Sequence, residues 1–321
     1  MSMAEETNLS RFGGVSILTV TPLDHDGRLC DQDFVSLLRF VSGRSVDGVS
    51  IRSLTVCGEM GEGFCLSTED RSRVVRIARD FLGKGQTVIA AIFALSVRHA
   101  IEQAEQCRHS GADAVIVAPV ATFPYSTKAL EQFFQIVGAA AQLPVIAYLN
   151  KMFKQNLPSA EMLRAVYDVP CVVGIKDSTG DPSFIAQLIA NRPAGKLTIH
   201  TVSSSALAGI QAGADGLMVG TSNLAPDAAL ETWVFGRKND ADSQKRAIAG
   251  QERLSRLAQL YKIVPESRDW VIVKEALRHM GVIREEARYP ALPYELLSQD
   301  DQAKVREQIL MLVGSPTGVP Q

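Results

Sequence analysis

The residue in this sequence that is best placed to do chemistry is Lys176, the last residue of the apolar run 170–176. The length of the run and its β-branched side chains predict a strand buried on both faces. Burial would disfavour the ammonium form of Lys176 and lower its pKa. A neutral amine in a dry pocket is the nucleophile that forms a Schiff base with a carbonyl substrate. The alternative is a lysine that extends to the surface and pairs with Asp177, and this run alone does not decide between them.

Two other places carry residue types that would complement such an amine. Tyr148 lies near the end of the apolar run 144–149 and offers a phenol that can shuttle protons. The loop 58–63 contains three glycines, which would let backbone amides approach a bound anion closely. An amine, a phenol and an amide-lined pocket together suit a 2-oxo acid. Each has a plainer explanation, because Tyr148 could be a core aromatic and the loop only a tight turn.

The elements that must position these residues form a repeating pattern. Short apolar runs alternate with amphipathic helical segments, as expected for a parallel sheet covered by helices. Eight βα units predict a (β/α)8 TIM barrel, and the lack of a dinucleotide-binding fingerprint disfavours an open doubly wound sheet. In such a barrel the functional residues gather at the carboxyl ends of the strands. The eight runs are residues 14–20, 53–57, 87–93, 114–118, 144–149, 172–176, 197–202 and 216–220.

Local signals mark the helices between the strands. Gly111 and Gly213 each precede an Ala-Asp and a new apolar run, which predicts left-handed helix ends at both glycines. From about residue 240 the alternation stops, and the chain reads as about three further helices up to residue 312. We therefore expect a barrel over residues 1–238 and a C-terminal helical extension over residues 239–321. The serines placed to cap helix N-termini are Ser67, Ser96, Ser126 and Ser159.

The composition excludes several classes of protein. With 46% hydrophobic and 21% charged residues in 321, the chain is typical of a globular protein, and its net charge of −2 gives no reason to expect a nucleic-acid partner. No apolar run is long enough to span a membrane, and residues 1–11 lack the apolar core of a signal peptide. Five cysteines without regular spacing predict a reducing, cytoplasmic location, and neither they nor the five histidines predict a metal site.

With these residues in this order, the sequence resembles the dihydrodipicolinate synthase and N-acetylneuraminate lyase family of class I, Schiff-base aldolases. The likeness runs from about Gly13 to Pro293, nearly the whole chain. The segments that carry it are residues 14–22, 58–62 and 111–115, Tyr148 with Asn150, and residues 173–178 and 213–216.

The resemblance implies roles for the candidate residues. Lys176 would condense with the keto group of pyruvate or a longer 2-oxo acid, and Tyr148 would act as general acid and base. The backbone at Met60 and Gly61 would hold the substrate carboxylate. Such sites need no metal and no organic cofactor, and family members are commonly homotetramers built from dimers. The remaining candidates for substrate binding are Gly58, Gly216, Met218, Ser203 and Lys151.

The sequence departs from the family at the proton relay. Glu59 and Met60 occupy the positions of two small hydroxyl residues, one of which normally relays protons to the tyrosine. Glu59 could still relay a proton, but it would repel a substrate carboxylate, so we expect it to point away or to have a raised pKa. Val120 and Ala121 stand where the synthases carry a tyrosine that reaches across the dimer, and Tyr125 is displaced by several residues.

A second departure follows the catalytic tyrosine. The synthases carry a proline and an arginine there for the carboxylate of the second substrate, whereas this chain offers only Lys151 or Lys154. Lysine is a poor substitute for arginine at a bidentate carboxylate site. The hypothesis is therefore a Schiff-base lyase that cleaves a 4-hydroxy-2-oxo acid or dehydrates a 3-deoxy-2-oxo sugar acid. The alternatives are a genuine dihydrodipicolinate synthase, a non-catalytic 2-oxo acid sensor, and a phosphate-binding barrel that uses residues 216–222.

Overall fold

The computed structural model describes residues 9–120, 125–149, 159–264 and 267–313, and its centre is a closed barrel of eight parallel strands. Each apolar run predicted from the sequence contributes one strand, which confirms the TIM barrel. The barrel is closed by pairing of the first strand with both the second and the eighth. Its strands are β1 Gly14–Leu18, β4 Ser53–Val56, β5 Thr87–Ala94, β6 Ala114–Pro119, β7 Val145–Leu149, β8 Val172–Asp177, β9 Leu197–His200 and β10 Gly216–Leu217.

Helices lie between the strands, and their ends follow the local signals. The side chains of the four predicted capping serines each accept a hydrogen bond from the backbone N–H three residues further on, which confirms those caps. Gly111 and Gly213 have φ of 92° and 106°, as predicted for left-handed helix ends. These helices are α1 Asp31–Ser42, α2 Thr68–Leu82, α3 Val97–His109, α4 Thr127–Ala141, α5 Ala160–Asp168, α6 Pro182–Asn191, α7 Ala206–Gln211 and α8 Pro226–Gly236.

A small hairpin precedes the second barrel strand and was not predicted. It pairs β2 Ser45–Val46 with β3 Val49–Ser50 in antiparallel fashion. Asp47 and Gly48 join the two strands with φ of 52° and 75°. An Asp-Gly pair with both φ positive is a favoured two-residue hairpin turn, so the signal was present but too short to stand out among the barrel strands.

Within its described residues, the C-terminal part forms three α-helices, in agreement with the sequence: α9 Ala241–Gln259, α10 Asp269–His279 and α11 Gln299–Val313. Helix α9 packs along α8 and against the turn Ser203–Ser205 that follows β9. The Gln251 amide on α9 donates to the Ser203 carbonyl at 2.9 Å. The extension therefore reaches the carboxyl ends of the strands, although a domain boundary at residue 238 stays a prediction.

The core explains why the strands read as unbroken apolar runs. All eight residues of β5 and all five of β7 are buried, because helices cover the outside of the barrel and side chains fill its inside. Within the described ranges, no helix combines the length and apolar character that crossing a membrane requires.

Candidate active site

Two neighbouring strands bring Lys176 and Tyr148 side by side. Tyr148 near the end of β7 pairs in register with Lys176 near the end of β8. The Lys176 Nζ lies 3.4 Å from the centre of the Tyr148 ring. Both residues are buried, so the amine is held against the aromatic face instead of extending into water.

The surroundings of Lys176 change its proton affinity. Burial lowers its pKa from 10.5 to about 8, against an opposing effect of the negative charges of Glu59 and Asp177. Within the described ranges, Lys176 forms no ion pair with a carboxylate. The neutral fraction of the amine near physiological pH is therefore far larger than for an ordinary lysine, and the neutral amine is the form that attacks a carbonyl carbon.

The Asp177 carboxylate contacts residues other than Lys176. Its Oδ1 accepts hydrogen bonds from the backbone N–H and the hydroxyl of Thr179 at 2.9 and 2.8 Å. Its Oδ2 lies 3.5 Å from Nδ1 of the buried His200 on β9. These contacts hold the end of β8 in place. They give no support to the alternative in which Lys176 extends to the surface and pairs with Asp177.

The Tyr148 hydroxyl has two polar neighbours. It is 2.9 Å from the hydroxyl of Ser178, where either group can donate, and it donates to Glu59 Oε2 over 3.4 Å. Glu59 thus points toward the tyrosine and lines the cavity, which contradicts the first of the two expected alternatives, that it points away. Because hydroxyl and carboxylate groups exchange protons readily, Tyr148 has partners on both sides for moving a proton.

The glycine-rich loop after β4 is a compact turn. The N–H groups of Gly61 and Gly63 both donate to the Gly58 carbonyl, at 3.1 and 3.0 Å. A side chain at Gly63 would clash with the backbone of Cys57, since its Cβ would lie 1.8 Å from the Cys57 oxygen. The Gly61 N–H is thus hydrogen-bonded inside the turn. This differs from the expectation that it would hold the substrate carboxylate.

A buried ion pair fixes this loop to the C-terminal extension. Glu62 has φ of 54°, and its carboxylate pairs with the Lys274 ammonium of α10, with both side chains inaccessible to water. Glu62 also accepts from the Ala291 N–H at 2.6 Å, and Lys274 donates to the Tyr289 carbonyl at 2.8 Å. The loop that carries Glu59 and Met60 is therefore held rigidly against α10.

Six of the candidate residues line one cavity of about 420 Å³ at the carboxyl ends of the strands. Its barrel side contains the lysine, the tyrosine, the loop residues and several hydroxyls, whereas the opposite wall belongs to the extension. The lining residues from the barrel are Leu18, Glu59, Met60, Tyr148, Lys176, Ser178, Thr201, Val202, Ser203, Ser204, Met218 and Gly220. Those from the extension are Ala258, Gln259, Tyr261, Lys262 and Asp269.

Comparison with known proteins agrees with this geometry. The model of the dihydrodipicolinate synthetase family matches residues 11–310. The chain belongs to this family. It is thus an enzyme of the class I aldolase type, a lyase.

Individual relatives support the same assignment. A 4-hydroxy-tetrahydrodipicolinate synthase of Pseudomonas aeruginosa is 30% identical, over 87% of this chain and 92% of its own. Another, of Chlorobium limicola, is 27% identical over 94% and 97%. The crystal structure of YagE, a prophage protein of the family from E. coli K12 in complex with pyruvate, shares the fold with a TM-score of 0.83 at 21% identity. That likeness covers 94% of this chain and 99% of the other.

The predicted substrate-binding residues that the structure describes fall into two groups, those that line the cavity and those that do not. Met60, Met218 and Ser203 line the cavity with Lys176, Tyr148 and Glu59. Among the described residues, Gly58, Gly61 and Gly216 do not line it. Gly216 begins β10 and pairs with Gly14, near the opposite end of the barrel. Lys151, Lys154 and Ala121 lie outside the described residues, and their roles stay predictions.

The displaced tyrosine near β6 does not reach the site. Tyr125 is half-buried, and its ring packs 6.1 Å from the ring of Phe133 on α4. It is not among the residues that line the cavity. Tyr125 therefore does not contribute to the cavity of its own chain.

Two groups of cavity residues were not assigned from the sequence. Ser178 stands two positions after Lys176, and this spacing could have identified it as a partner of the tyrosine. Tyr261, Lys262 and Asp269 come from the extension. No local pattern marks them, because they reach the cavity only through the packing of α9 and α10 on the barrel.

The polar side chains of the segment after β10 form hydrogen bonds within the protein. The Thr221 hydroxyl donates to Ser203 at 2.9 Å, and the Asn223 amide donates to the carbonyls of Leu18 and Gly220 at 2.7 and 2.9 Å. All three residues of the stretch 221–223 are buried. These internal bonds favour a structural turn over the phosphate-binding loop considered from the sequence.

Proposed function

We propose that this enzyme is a Schiff-base lyase that acts on a 2-oxo acid through Lys176, with pyruvate as substrate or product. The observation that carries the proposal is the buried amine of Lys176. It has no carboxylate partner among the described residues, a pKa lowered to about 8 by burial, and a position beside Tyr148 in a cavity of suitable size. A lysine in that state has no evident structural purpose, since an unpaired buried amine costs stability.

The proposed chemistry begins with attack of the neutral Lys176 amine on the keto carbon. Loss of water from the carbinolamine gives a protonated imine, which withdraws electrons from the neighbouring carbon. In a 4-hydroxy-2-oxo acid, the hydroxyl then gives up its proton while the bond between the third and fourth carbons breaks. The bonding electrons pass into the imine to give an enamine. Tyr148, with Ser178 and Glu59 as partners, is placed to receive the hydroxyl proton.

The lining favours a hydroxylated substrate over an additional carboxylate. Four small hydroxyl side chains face the cavity, whereas Glu59 and Asp269 add negative charge. Lys176 and Lys262 are the cationic residues among the described lining, and no arginine is present there. A hydroxylated 2-oxo acid can donate hydrogen bonds to these carboxylates, while a second carboxylate would be repelled. The hydroxyl-bearing residues are Ser178, Thr201, Ser203 and Ser204.

A second candidate is condensation of pyruvate with aspartate semialdehyde. The names of the relatives, which are 4-hydroxy-tetrahydrodipicolinate synthases, favour it. The same imine would serve this reaction, since the enamine of pyruvate is the nucleophile for the aldehyde. The substrate of the second step therefore distinguishes the two candidates.

A substrate panel tests the proposal. Purified protein is incubated with 4-hydroxy-2-oxo acids and 3-deoxy-2-oxo sugar acids, and release of pyruvate or of dehydrated product is followed by a coupled assay. We expect turnover of at least one of them, and none by Lys176→Met. Turnover only with pyruvate plus aspartate semialdehyde would favour the synthase, and no turnover with any substrate would contradict both candidates.

We also propose that the enzyme is a cytoplasmic homo-oligomer, a tetramer or a dimer. The exposed side chains of Phe64, Leu95 and Leu292, with 42%, 79% and 77% of their surface accessible, are of the kind that subunit contacts cover. Size-exclusion chromatography with light scattering tests this, and a monomer at micromolar concentration would contradict it.

A further inference from the structure

Asp269 is a second carboxylate at the cavity, supplied by the C-terminal extension. It is the first residue of α10 and lines the same cavity as Lys176, Tyr148 and Glu59. In contrast to the half-buried Glu59, Asp269 is exposed to solvent. The two carboxylates thus differ in depth, with Glu59 beside the tyrosine and Asp269 at the opening.

A buried ion pair joins the two segments that carry these carboxylates. Glu59 belongs to the loop after β4, and Asp269 begins the helix that carries Lys274. The buried pair of Lys274 with Glu62, three residues after Glu59, joins that loop to the helix. The backbone segments of Glu59 and Asp269 are therefore fixed to each other.

The electrostatic surroundings suit Asp269 for proton exchange near neutral pH. Although the residue is accessible to solvent, desolvation of its carboxylate by the surrounding protein and the negative charge of Glu59 raise its pKa from 3.8 to about 6, and Arg268 opposes that shift. The other titratable groups of the described residues on this side of the cavity are Tyr261 and Lys262. A group that titrates near the working pH can both accept and release a proton.

The Tyr261 hydroxyl independently indicates that a polar atom of water or substrate binds at this end of the cavity. Its oxygen is buried and has no hydrogen-bond partner among the described residues. It lies close to Gly220, where a Cβ would be only 3.2 Å away. Burial and Asp269 raise the pKa of this phenol, so it stays a donor. A buried donor at a cavity wall is available to a water or substrate oxygen.

We propose that Asp269 is the solvent end of a proton relay that runs from Tyr148 through Glu59. The inference rests on the proposed lyase function and adds a positioning residue from outside the barrel. The relay lies within one chain, because Tyr148, Glu59 and Asp269 all line one cavity.

The proton transfers balance within the proposed cleavage. The substrate hydroxyl gives its proton to the Tyr148 oxygen as the carbon–carbon bond breaks, and the phenolic proton passes to Glu59. Glu59 hands a proton to Asp269, which releases it to water. The enamine later takes up one proton on carbon, so no oxidant, reductant or further reactant is required.

The pH dependence of kcat tests the relay. When cleavage limits turnover at saturating substrate, Lys176 is held as the imine, and kcat then reports the relay and not the free amine. Asp269 must be ionised to accept a proton, and we expect kcat of the wild type to fall as the pH drops through about 6. Asp269→Asn should lose this acid limb and lower kcat about 10-fold, less than the ~10² to 10⁴ of a direct acid or base. Added imidazole should restore part of the rate.

Matched variants separate this role from a structural one. Asp300→Asn makes the same change in the first turn of α11, at an exposed position outside the cavity lining, and should leave the profile unchanged. Asp269→Glu should keep the acid limb. An acid limb that survives in Asp269→Asn, a loss shared by Asp300→Asn, or no response to imidazole would overturn the proposal.

Trapping distinguishes this inference from the proposed function. Borohydride should reduce a pyruvate adduct on Lys176 equally in wild type and Asp269→Asn. No adduct in either protein would contradict the lyase itself, whereas equal adducts with identical pH profiles would contradict only the relay.

Discussion

Lys176 and Lys274 are two lysines that are equally withdrawn from water, with 4% and 0% of their surface exposed, but their surroundings differ. Lys274 is paired with the buried carboxylate of Glu62 and hydrogen-bonded to the Tyr289 carbonyl. Lys176 lies over an aromatic ring beside a cavity, without an ion-pair partner in the described part of the chain. Burial lowers the pKa of both amines. Burial alone therefore does not mark a nucleophile. A carboxylate partner makes Lys274 a structural residue, whereas the lack of one among the described residues is why we propose Lys176 as the nucleophile.

The largest effect is expected from removing the unpaired lysine. Lys176→Met cannot form an imine, and kcat for cleavage should fall by on the order of 10⁴-fold or more, as when other covalent nucleophiles are removed. The fold should be as stable as the wild type, since a buried unpaired amine is replaced by an apolar side chain of similar length. Activity assays and thermal unfolding check both parts, and residual activity within tenfold of wild type would contradict the role.

The paired lysine should behave in the opposite way. Lys274→Met leaves the Glu62 carboxylate buried without a charge partner, which should cost about 3–5 kcal/mol of unfolding free energy. Chemical denaturation measures this cost. The double variant Glu62→Gln with Lys274→Met should recover part of it, and a single variant as stable as wild type would show that the pair does not hold the loop.

The tyrosine beside Lys176 should affect turnover more than imine formation. Tyr148→Phe keeps the ring under the amine but removes the hydroxyl that contacts Ser178 and Glu59. We expect kcat to fall by about 10²- to 10⁴-fold, while the trapped pyruvate adduct still forms. Ser178→Ala is the milder control. Equal turnover by Tyr148→Phe and wild type would exclude Tyr148 as the proton carrier.

The smallest expected effect is a shift in the titration of Lys176. The negative charge of Glu59 raises the pKa of this amine, against the larger effect of burial. Glu59→Gln should therefore move the pH midpoint of imine formation below the value of about 8 expected for the wild type. Rates of pyruvate adduct formation from pH 6 to 10 measure the midpoint. A shift to higher pH would mean that the two groups do not interact as the structure indicates.

The sequence predicted the barrel well because its signals are local. Each strand is an apolar run, and serines and glycines mark the helix ends within a few residues. Lys176 and Tyr148 could be paired in advance, because the carboxyl ends of neighbouring parallel strands meet on one face.

The rest of the site depends on contacts between distant segments. Glu59 lies in a turn whose N–H groups donate to the Gly58 carbonyl, and Asp269 begins the helix that the Lys274–Glu62 pair joins to that turn. Neither contact has a local sequence signature. The amide of Gly61 and the position of Gly216 were misjudged for the same reason, since both depend on the backbone pairing of the folded chain.

The most direct test of the difference between the two lysines is to map the site of reductive trapping. The protein is incubated with pyruvate and borohydride at pH 8, digested and analysed by mass spectrometry. The reduced pyruvate adduct should be found on Lys176, with Lys274 unmodified. No adduct on Lys176 with pyruvate or any of several 2-oxo acids, or modification of Lys274 instead, would contradict the assignment of Lys176 as the nucleophile.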